Sequence, residues 1–193
     1  MKLHLGCYHK KIHGFINVDI RSEVNPDLQD DVFQLSSIKN NSVDLIYCCH
    51  VLEHAKIKES EQALKRWNEI LKPGGVLRIA VPDLEAVFKY YSTTRNLREL
   101  KSFLHGSQKH PYDIHYSGWD FKTIKEDLEA SGYTNIRRYD WRDTEHFYVD
   151  DYSQSYLPNI SYKSRRKEDA ISGTLMSLNV EATKNENYSN NRS

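Results

Sequence analysis

The sequence predicts an α/β fold on a mostly parallel sheet, and two stretches read together carry that prediction. Residues 71–84, Leu-Lys-Pro-Gly-Gly-Val-Leu-Arg-Ile-Ala-Val-Pro-Asp-Leu, read as a helix end, a Pro-Gly-Gly turn and an apolar strand. Upstream, His50-Val-Leu-Glu-His54 follows the compact apolar run Val43 to Tyr47, where a strand hands over to the next helix. Strand, polar turn, helix, turn, strand is one βαβ unit, and it implies parallel neighbours. Ligands of such sheets bind outside the carboxyl ends of the strands, which puts residues 48–54 on a site-forming edge.

Each element follows in order. Leu3 to Leu5 is a short buried strand opening at Gly6, and Phe15 to Ile20 is a second. An ordinary dinucleotide-binding unit leaves roughly 20 residues between its glycine turn and the acidic strand end, enough for a full crossover helix. Here Asp19 follows Gly6 so soon that residues 8–14 hold one or two helical turns or a bare loop, closed by Gly14. Asp31 to Leu35 is a weak segment, and Val43 to Cys49 is the central strand. Ala63, Leu64, Trp67, Ile70 and Leu71 repeat at helical spacing, predicting a helix over 56–71. Val76 to Val81 is a fully buried strand by its β-branching. Leu84, Val87, Phe88 and Tyr91 share a face of the next helix, and Asn96 to Leu104 continues helically. His105 to Trp119 breaks the period and reads as a loop. Asp120 is the N-cap of a helix that Gly132 ends, and Ile136 to Trp141 is a strand. Arg142 to Gly173 shows no clear element, while Thr174 to Val180 alternates like a last strand.

At 193 residues the chain holds one core and has little room for two. Lys plus Arg and Asp plus Glu balance at 27 each, so charge lends no support to a nucleic-acid partner, and none is expected. The three cysteines have no metal-ligand spacing. Cys48 and Cys49 are adjacent on a strand and point to opposite faces, so reduced thiols in a cytoplasmic protein are the expectation. No leader and no stretch approaching the roughly 18 apolar residues of a membrane span is visible.

Lys2-Leu-His-Leu-Gly-Cys7, Phe15-Ile-Asn-Val-Asp19 and Asn41-Ser-Val-Asp-Leu-Ile46, taken in that order with residues 71–84, resemble class I S-adenosylmethionine-dependent methyltransferases. The likeness is greatest to a branch of small bacterial enzymes associated with surface-polysaccharide genes, and it runs from Lys2 to about Ala182. It implies a single Rossmann-like domain over 1–183 with a mostly parallel, seven-stranded sheet and a shortened first crossover helix. An antiparallel edge would come from 136–141 with 174–180, and 184–193 would be a disordered tail. It further implies S-adenosylmethionine as cofactor and a small-molecule or glycan hydroxyl as methyl acceptor.

The resemblance also implies roles. Gly6, with Cys7 and Tyr8, would form the cofactor turn, since a ligand presses onto backbone only where no side chain intrudes. Tyr8 stands where the family has a second glycine. Asp19 would take both ribose hydroxyls, a task suited to a carboxylate. Asp31 and Val32 would meet the adenine, and Cys48 and His50 the methionine end. Lys10 or Lys11 would supply positive charge to the cofactor carboxylate. His50 and His54 bracket Val-Leu-Glu in an order that resembles a zinc site. No third ligand motif accompanies them, so no metal is expected, and Glu53 and His54 would cap or pack. Asp83 either faces the acceptor or complements a helix dipole. His105, His110 and His115 share a lid-like loop with Tyr112, Asp113 and Tyr116. A general base working near neutral pH is most simply a histidine. His115, which precedes the turn into the Asp120 helix, is assigned that role, with Tyr116 or Asp83 orienting the acceptor. Two other readings stay open at this point. One is a non-catalytic nucleoside-binding domain. The other is a nicotinamide oxidoreductase, which would share the acidic strand end but needs a fuller glycine fingerprint.

Overall fold

The computed structural model describes residues 1–158 and 173–186. Its core is a seven-stranded sheet of β1 (Lys2–Leu5), β2 (Ile16–Asp19), β3 (Leu28–Gln29), β4 (Val43–Cys49), β5 (Leu71–Pro82), β6 (Tyr133–Arg138) and β9 (Ser177–Lys184). The order is β3-β2-β1-β4-β5-β9-β6; the first five strands run parallel and β9 lies antiparallel to both neighbours. A separate ribbon pairs β7 (Tyr156–Leu157) with β8 (Thr174–Leu175). Among the described residues four α-helices accompany the strands: α1 (Ile57–Ile70), α2 (Leu84–Thr94), α3 (Leu97–His105) and α4 (Phe121–Ala130).

Alternation along the strands decides what each face of the sheet can hold. Leu3, Ile46, Leu77 and Ala182 are in register across four strands and are all buried. Onto that apolar face α1 lays Ala63, Leu64, Trp67 and Ile70, and α4 adds Ile124 and Leu128. Burying an indole requires a partner for its N–H; Trp67 Nε1 donates to Val32 O at 2.8 Å. The opposite face carries a polar row, Asn17, His4, Tyr47, Arg78 and Glu181, again in register.

That polar row is covered by the segment 139–156 rather than by a helix. The Tyr47 hydroxyl donates to Asp151 Oδ2 at 2.6 Å, and the His146 ring lies 3.9 Å from the Tyr47 ring. Arg78 pairs with Glu145 and with Glu181, each at 2.8 Å. The short first crossover fits this arrangement. Residues 7–14 form turns only, so the expected shortened helix is a bare loop. Asn17 holds it: Oδ1 accepts from Ile12 N at 2.8 Å and from His4 Nδ1 at 3.0 Å, while Nδ2 donates to Ile12 O at 3.3 Å. Ile12 and Phe15 are thereby buried against Tyr47 and Val149.

The structure corrects several sequence-based boundaries. Residues 31–35 form a turn, because Gln34 N and Leu35 N both donate to Asp31 O. The strand expected over 136–141 is β6, Tyr133–Arg138, beyond which the chain leaves for a 3-10 turn at Trp141–Asp143. The stretch expected over 174–180 divides between β8 and β9. Met176 is fully buried at the step, its N–H donating to Ser155 O at 2.8 Å and its O accepting from Asp83 N at 2.9 Å. β9 runs one residue past the expected domain end, as Lys184 Nζ donates to Leu71 O and Asn41 Oδ1, each at 2.8 Å. The rest of the expected tail, from 187 onward, and 159–172 lie outside the described residues.

Candidate active site

Strand order reverses between β1 and β4, and their carboxyl ends form the crevice where such sheets bind ligands. Gly6 stands at this point with φ +65°, and a Cβ there would lie 2.3 Å from Val51 Cγ2. The turn after β1 therefore presses directly on the segment after β4, which only glycine permits. Tyr8 is also left-handed, at φ 45°, so the position of the family's second glycine keeps glycine geometry while carrying a half-exposed ring. Cys7 is buried and its N–H is spent on Val18 O at 3.1 Å. Burial, with Asp19 nearby, pushes its thiol up to about 11, so it is an inert wall rather than a reactive group.

Asp19 closes β2 beside this turn and is buried. Oδ2 accepts from Tyr8 N at 2.9 Å, and Oδ1 accepts from Arg21 N at 3.0 Å and Arg21 Nε at 3.2 Å. Burial opposes ionisation, but these donors outweigh it and hold the carboxyl below its ordinary range. The Arg21 guanidinium also lies 4.8 Å from the Tyr8 ring centroid. Arg21 is thus part of the site, although it was not among the residues expected there; an arginine two positions after the acid was the available signal. Any ligand hydroxyl reaching Asp19 would have to displace that side chain. Asp31 Oδ1 accepts from Phe33 N at 2.9 Å and shapes the turn, and Val32 is buried over it. Lys10 Nζ reaches Asp150 O at 2.6 Å and Lys11 Nζ reaches Asp27 at 3.5 Å, so both lysines brace the loop.

A second group of residues gathers where β4 ends. Cys48 is buried in the core, and burial drives its thiol pKa far up. His50 takes φ 51° and Leu52–His54 form a 3-10 turn, so the His-Val-Leu-Glu-His string is not on an α-helix. Instead the turn folds inward and places Glu53 at zero exposure. His50 Nδ1 lies 3.3 Å and His115 Nε2 4.0 Å from Glu53 Oε1. Burial opposes its charge, yet His50, His54 and His115 together hold the Glu53 carboxyl below its ordinary range. His115 arrives from the loop after α3, pinned by Tyr116 N and Ser117 N, which donate to Glu53 O at 2.8 and 3.2 Å. Gly106 makes that path possible: at φ +73°, a Cβ would sit 2.2 Å from Asp113 O. Burial pushes the His115 imidazole down, with Glu53 opposing, so the ring favours its neutral form.

The remaining expected site residues are placed differently. Asp83 caps α2, its Oδ1 accepting from Glu85 N at 3.1 Å and Ala86 N at 3.3 Å, while Oδ2 pairs with Arg138 at 3.1 Å. Both oxygens are occupied, which assigns it to holding the helix start. Tyr116 is about half exposed and lines, with His115, Ser117, Trp119, Phe103 and Ile57, a cavity of about 410 Å³. His105 is exposed, and His110 stacks on Tyr112 at 5.1 Å, away from Glu53. Among the described residues no helix is long and apolar enough to cross a membrane.

This arrangement is the class I methyltransferase fold. Residues 14–79 match the family model for a methyltransferase domain. A SAM-dependent methyltransferase structure from Methanosarcina mazei superposes with TM-score 0.57 at 17% identity, covering 95% of this chain and 92% of that one. One from Archaeoglobus fulgidus gives 0.56 at 15% identity, covering 95% and 85%. One from Thermotoga maritima gives 0.56 at 14%, covering 95% and 81%. No curated protein matches the sequence.

Proposed function

We propose that the protein is an enzyme that moves a methyl group from S-adenosylmethionine to a hydroxyl of a small-molecule or glycan acceptor. The cofactor is S-adenosylmethionine, indicated by the methyltransferase-domain match and by the neighbouring folds. The observation that carries the reading is the Gly6–Val51 approach beside Asp19, a bare-backbone cradle at the switch point of the sheet. Gly6, Cys7 and Tyr8 line the cofactor, and Asp19 takes the ribose once Arg21 moves aside. Asp31 and Val32 flank the adenine, with His50 at the methionine end and Cys48, buried in the core, only shaping the strand end behind it.

The sulfonium methyl is already activated. The protein has to align an acceptor in line with the C–S bond and receive the hydroxyl proton. The group formed by His115 with Glu53 is the basic unit of this edge, and Tyr116 on the cavity wall orients the acceptor. Asp83 supports them by fixing α2. We place the catalytic unit in one domain running to the end of β9, working in the cytoplasm on a polysaccharide precursor. Calorimetry with S-adenosylhomocysteine and NAD tests the cofactor: micromolar-range binding of the first and none of the second is expected, and the converse sinks the reading. Turnover of hydroxyl acceptors with labelled S-adenosylmethionine then separates an enzyme from a silent nucleoside-binding domain.

A further inference from the structure

The His50, Glu53, His54 and His115 group has an unusual hydrogen-bond balance. Neither oxygen of the fully buried Glu53 carboxylate accepts a hydrogen bond. His54 Nδ1–H donates outward to Ile114 O at 3.1 Å, and His115 Nδ1–H donates outward to Phe103 O at 2.9 Å. Each ring so fixed turns its Nε2 toward the group. His50 behaves alike in the other sense. The Ser177 hydroxyl donates to Asn179 Oδ1 at 2.9 Å, so His50 Nε2–H donates to Ser177 Oγ at 3.1 Å. Its Nδ1 faces Glu53 Oε1 from 3.3 Å.

The centre of this group is therefore a buried carboxylate faced by one ring nitrogen each from His50, His54 and His115, whose other ring nitrogens are bonded outward. A desolvated carboxylate is costly unless it is fully paired. A carboxylate and converging imidazole nitrogens are also donors suited to a metal cation.

We propose that Glu53, His54 and His115 bind a divalent transition-metal ion, zinc-like in preference, and that this ion activates the acceptor hydroxyl. The donor atoms of these three residues lie within 4.8 Å of one another. Bonds of about 2.0–2.1 Å in a tetrahedral site set donors roughly 3.3 Å apart, so closure asks for shifts of about an ångström. Two imidazoles and one carboxylate are the donor set of open zinc sites, with further positions left for water or substrate. Nitrogen donors disfavour magnesium and calcium, which select oxygen. His50 stands against the carboxylate as an outer partner. The Phe103 and Ile114 carbonyls fix the ligating rings, as carbonyl partners do in metal sites.

The chemistry follows from the proposed methyl transfer, on which this part of the inference rests. With His115 and Glu53 then serving as ligands in place of the base itself, a hydroxyl bound to the ion loses its proton to solvent at a lower pKa. The resulting alkoxide oxygen keeps further lone pairs, one of which attacks the sulfonium methyl. The O–CH3 bond forms as the S–CH3 bond breaks, and the electron pair stays on sulfur as a neutral thioether. An amine bound to the same ion would spend its only lone pair on the metal and could not attack. The site thus favours O-methylation over N-methylation.

The test uses the full chain, stripped with a chelator and titrated with Co²⁺ while its visible absorption is followed, then with Zn²⁺ to displace it. We expect one equivalent of Co²⁺ to bind, to be displaced by Zn²⁺, and to bind more weakly as pH falls and the imidazoles protonate. Glu53→Gln and His54→Ala should each weaken Co²⁺ by more than about 100-fold, since losing even outer partners of a metal site costs 10–100-fold. S-adenosylhomocysteine calorimetry on the same samples reports folding and the cofactor site independently. Absence of Co²⁺ and Zn²⁺ binding in a chain that binds S-adenosylhomocysteine overturns the metal and leaves the methyltransferase reading standing. So does Co²⁺ affinity unchanged in folded Glu53→Gln. Metal binding without S-adenosylhomocysteine binding keeps the metal site and removes its proposed use.

Discussion

Gly6→Ala is the substitution whose cost the structure defines most closely. The added methyl would stand 2.3 Å from Val51 Cγ2, and the residue would have to hold φ +65°. A left-handed residue with a Cβ costs roughly 1–2 kcal/mol. Forcing a methyl into a packed site costs typically 1–3 kcal/mol more. The sum predicts a loss of about 2–5 kcal/mol in unfolding free energy, measured by urea denaturation. The two parts separate in a double-mutant cycle, because Val51→Ala removes the clashing methyl but leaves the backbone strain. A favourable coupling of about 1–3 kcal/mol between Gly6→Ala and Val51→Ala is expected. The double mutant should keep the residual strain and, with room restored at the turn, recover S-adenosylhomocysteine binding that Gly6→Ala alone loses. A Gly6→Ala protein within about 0.5 kcal/mol of wild type, a range usual for surface changes, would refute the close approach of the two loops. So would a coupling near zero.

Other outcomes follow from the same geometry. Asp19→Ala should weaken S-adenosylhomocysteine binding about 10- to 150-fold, the worth of a hydrogen bond to a charged group at roughly 1.5–3 kcal/mol; calorimetry showing wild-type affinity in the folded variant would remove Asp19 from the ribose. His115→Ala should reduce turnover by about 100-fold or more while cofactor affinity is kept, and near-normal turnover would take the proton-handling role away from it. Burial, helped by Arg78, holds the His146 imidazole down to about 4, so the unfolded chain takes up a proton below about 6.5 that the native protein refuses. Stability should therefore be fully present above pH 6.5 and fall by about 2–3 kcal/mol on the way down to pH 4, at 1.36 kcal/mol for each pH unit. His146→Phe, set among Tyr47 and Phe15, should flatten that slope, and an unchanged slope would assign it to other groups.

What could be read in the sequence, and what could not, divides along the range of the interactions. β4, α1 and β5 were legible because each is specified locally, by β-branching, a 3.6-residue period and a Pro-Gly-Gly stop. The missing first helix was legible from the short interval between Gly6 and Asp19. What replaces it was not, because 139–156 covers the sheet through polar contacts rather than an apolar stripe. Tyr47 meets Asp151 across 104 residues and Arg78 meets Glu145 across 67. Asp83 was read from its position at the sheet edge, but its occupation by Arg138 depends on β6 lying beyond β9.

The His-Val-Leu-Glu-His string shows the limit most clearly. On an α-helix His50 and His54 would share a face one turn apart, and without a third ligand such a pair has little meaning. The chain instead turns left-handed at His50 and tightens into a 3-10 turn, which brings Glu53 inward between the two rings. The third imidazole comes from a loop whose hold on this turn, Ile114 O on His54 Nδ1, spans 60 residues. Gly106 decides whether that loop can close, and no local pattern announces that its missing Cβ serves Asp113 and His115. Hence a motif that carried little weight as a string becomes, in the fold, the polar centre of the proposed site, because its donor set is assembled by topology and not by local spacing.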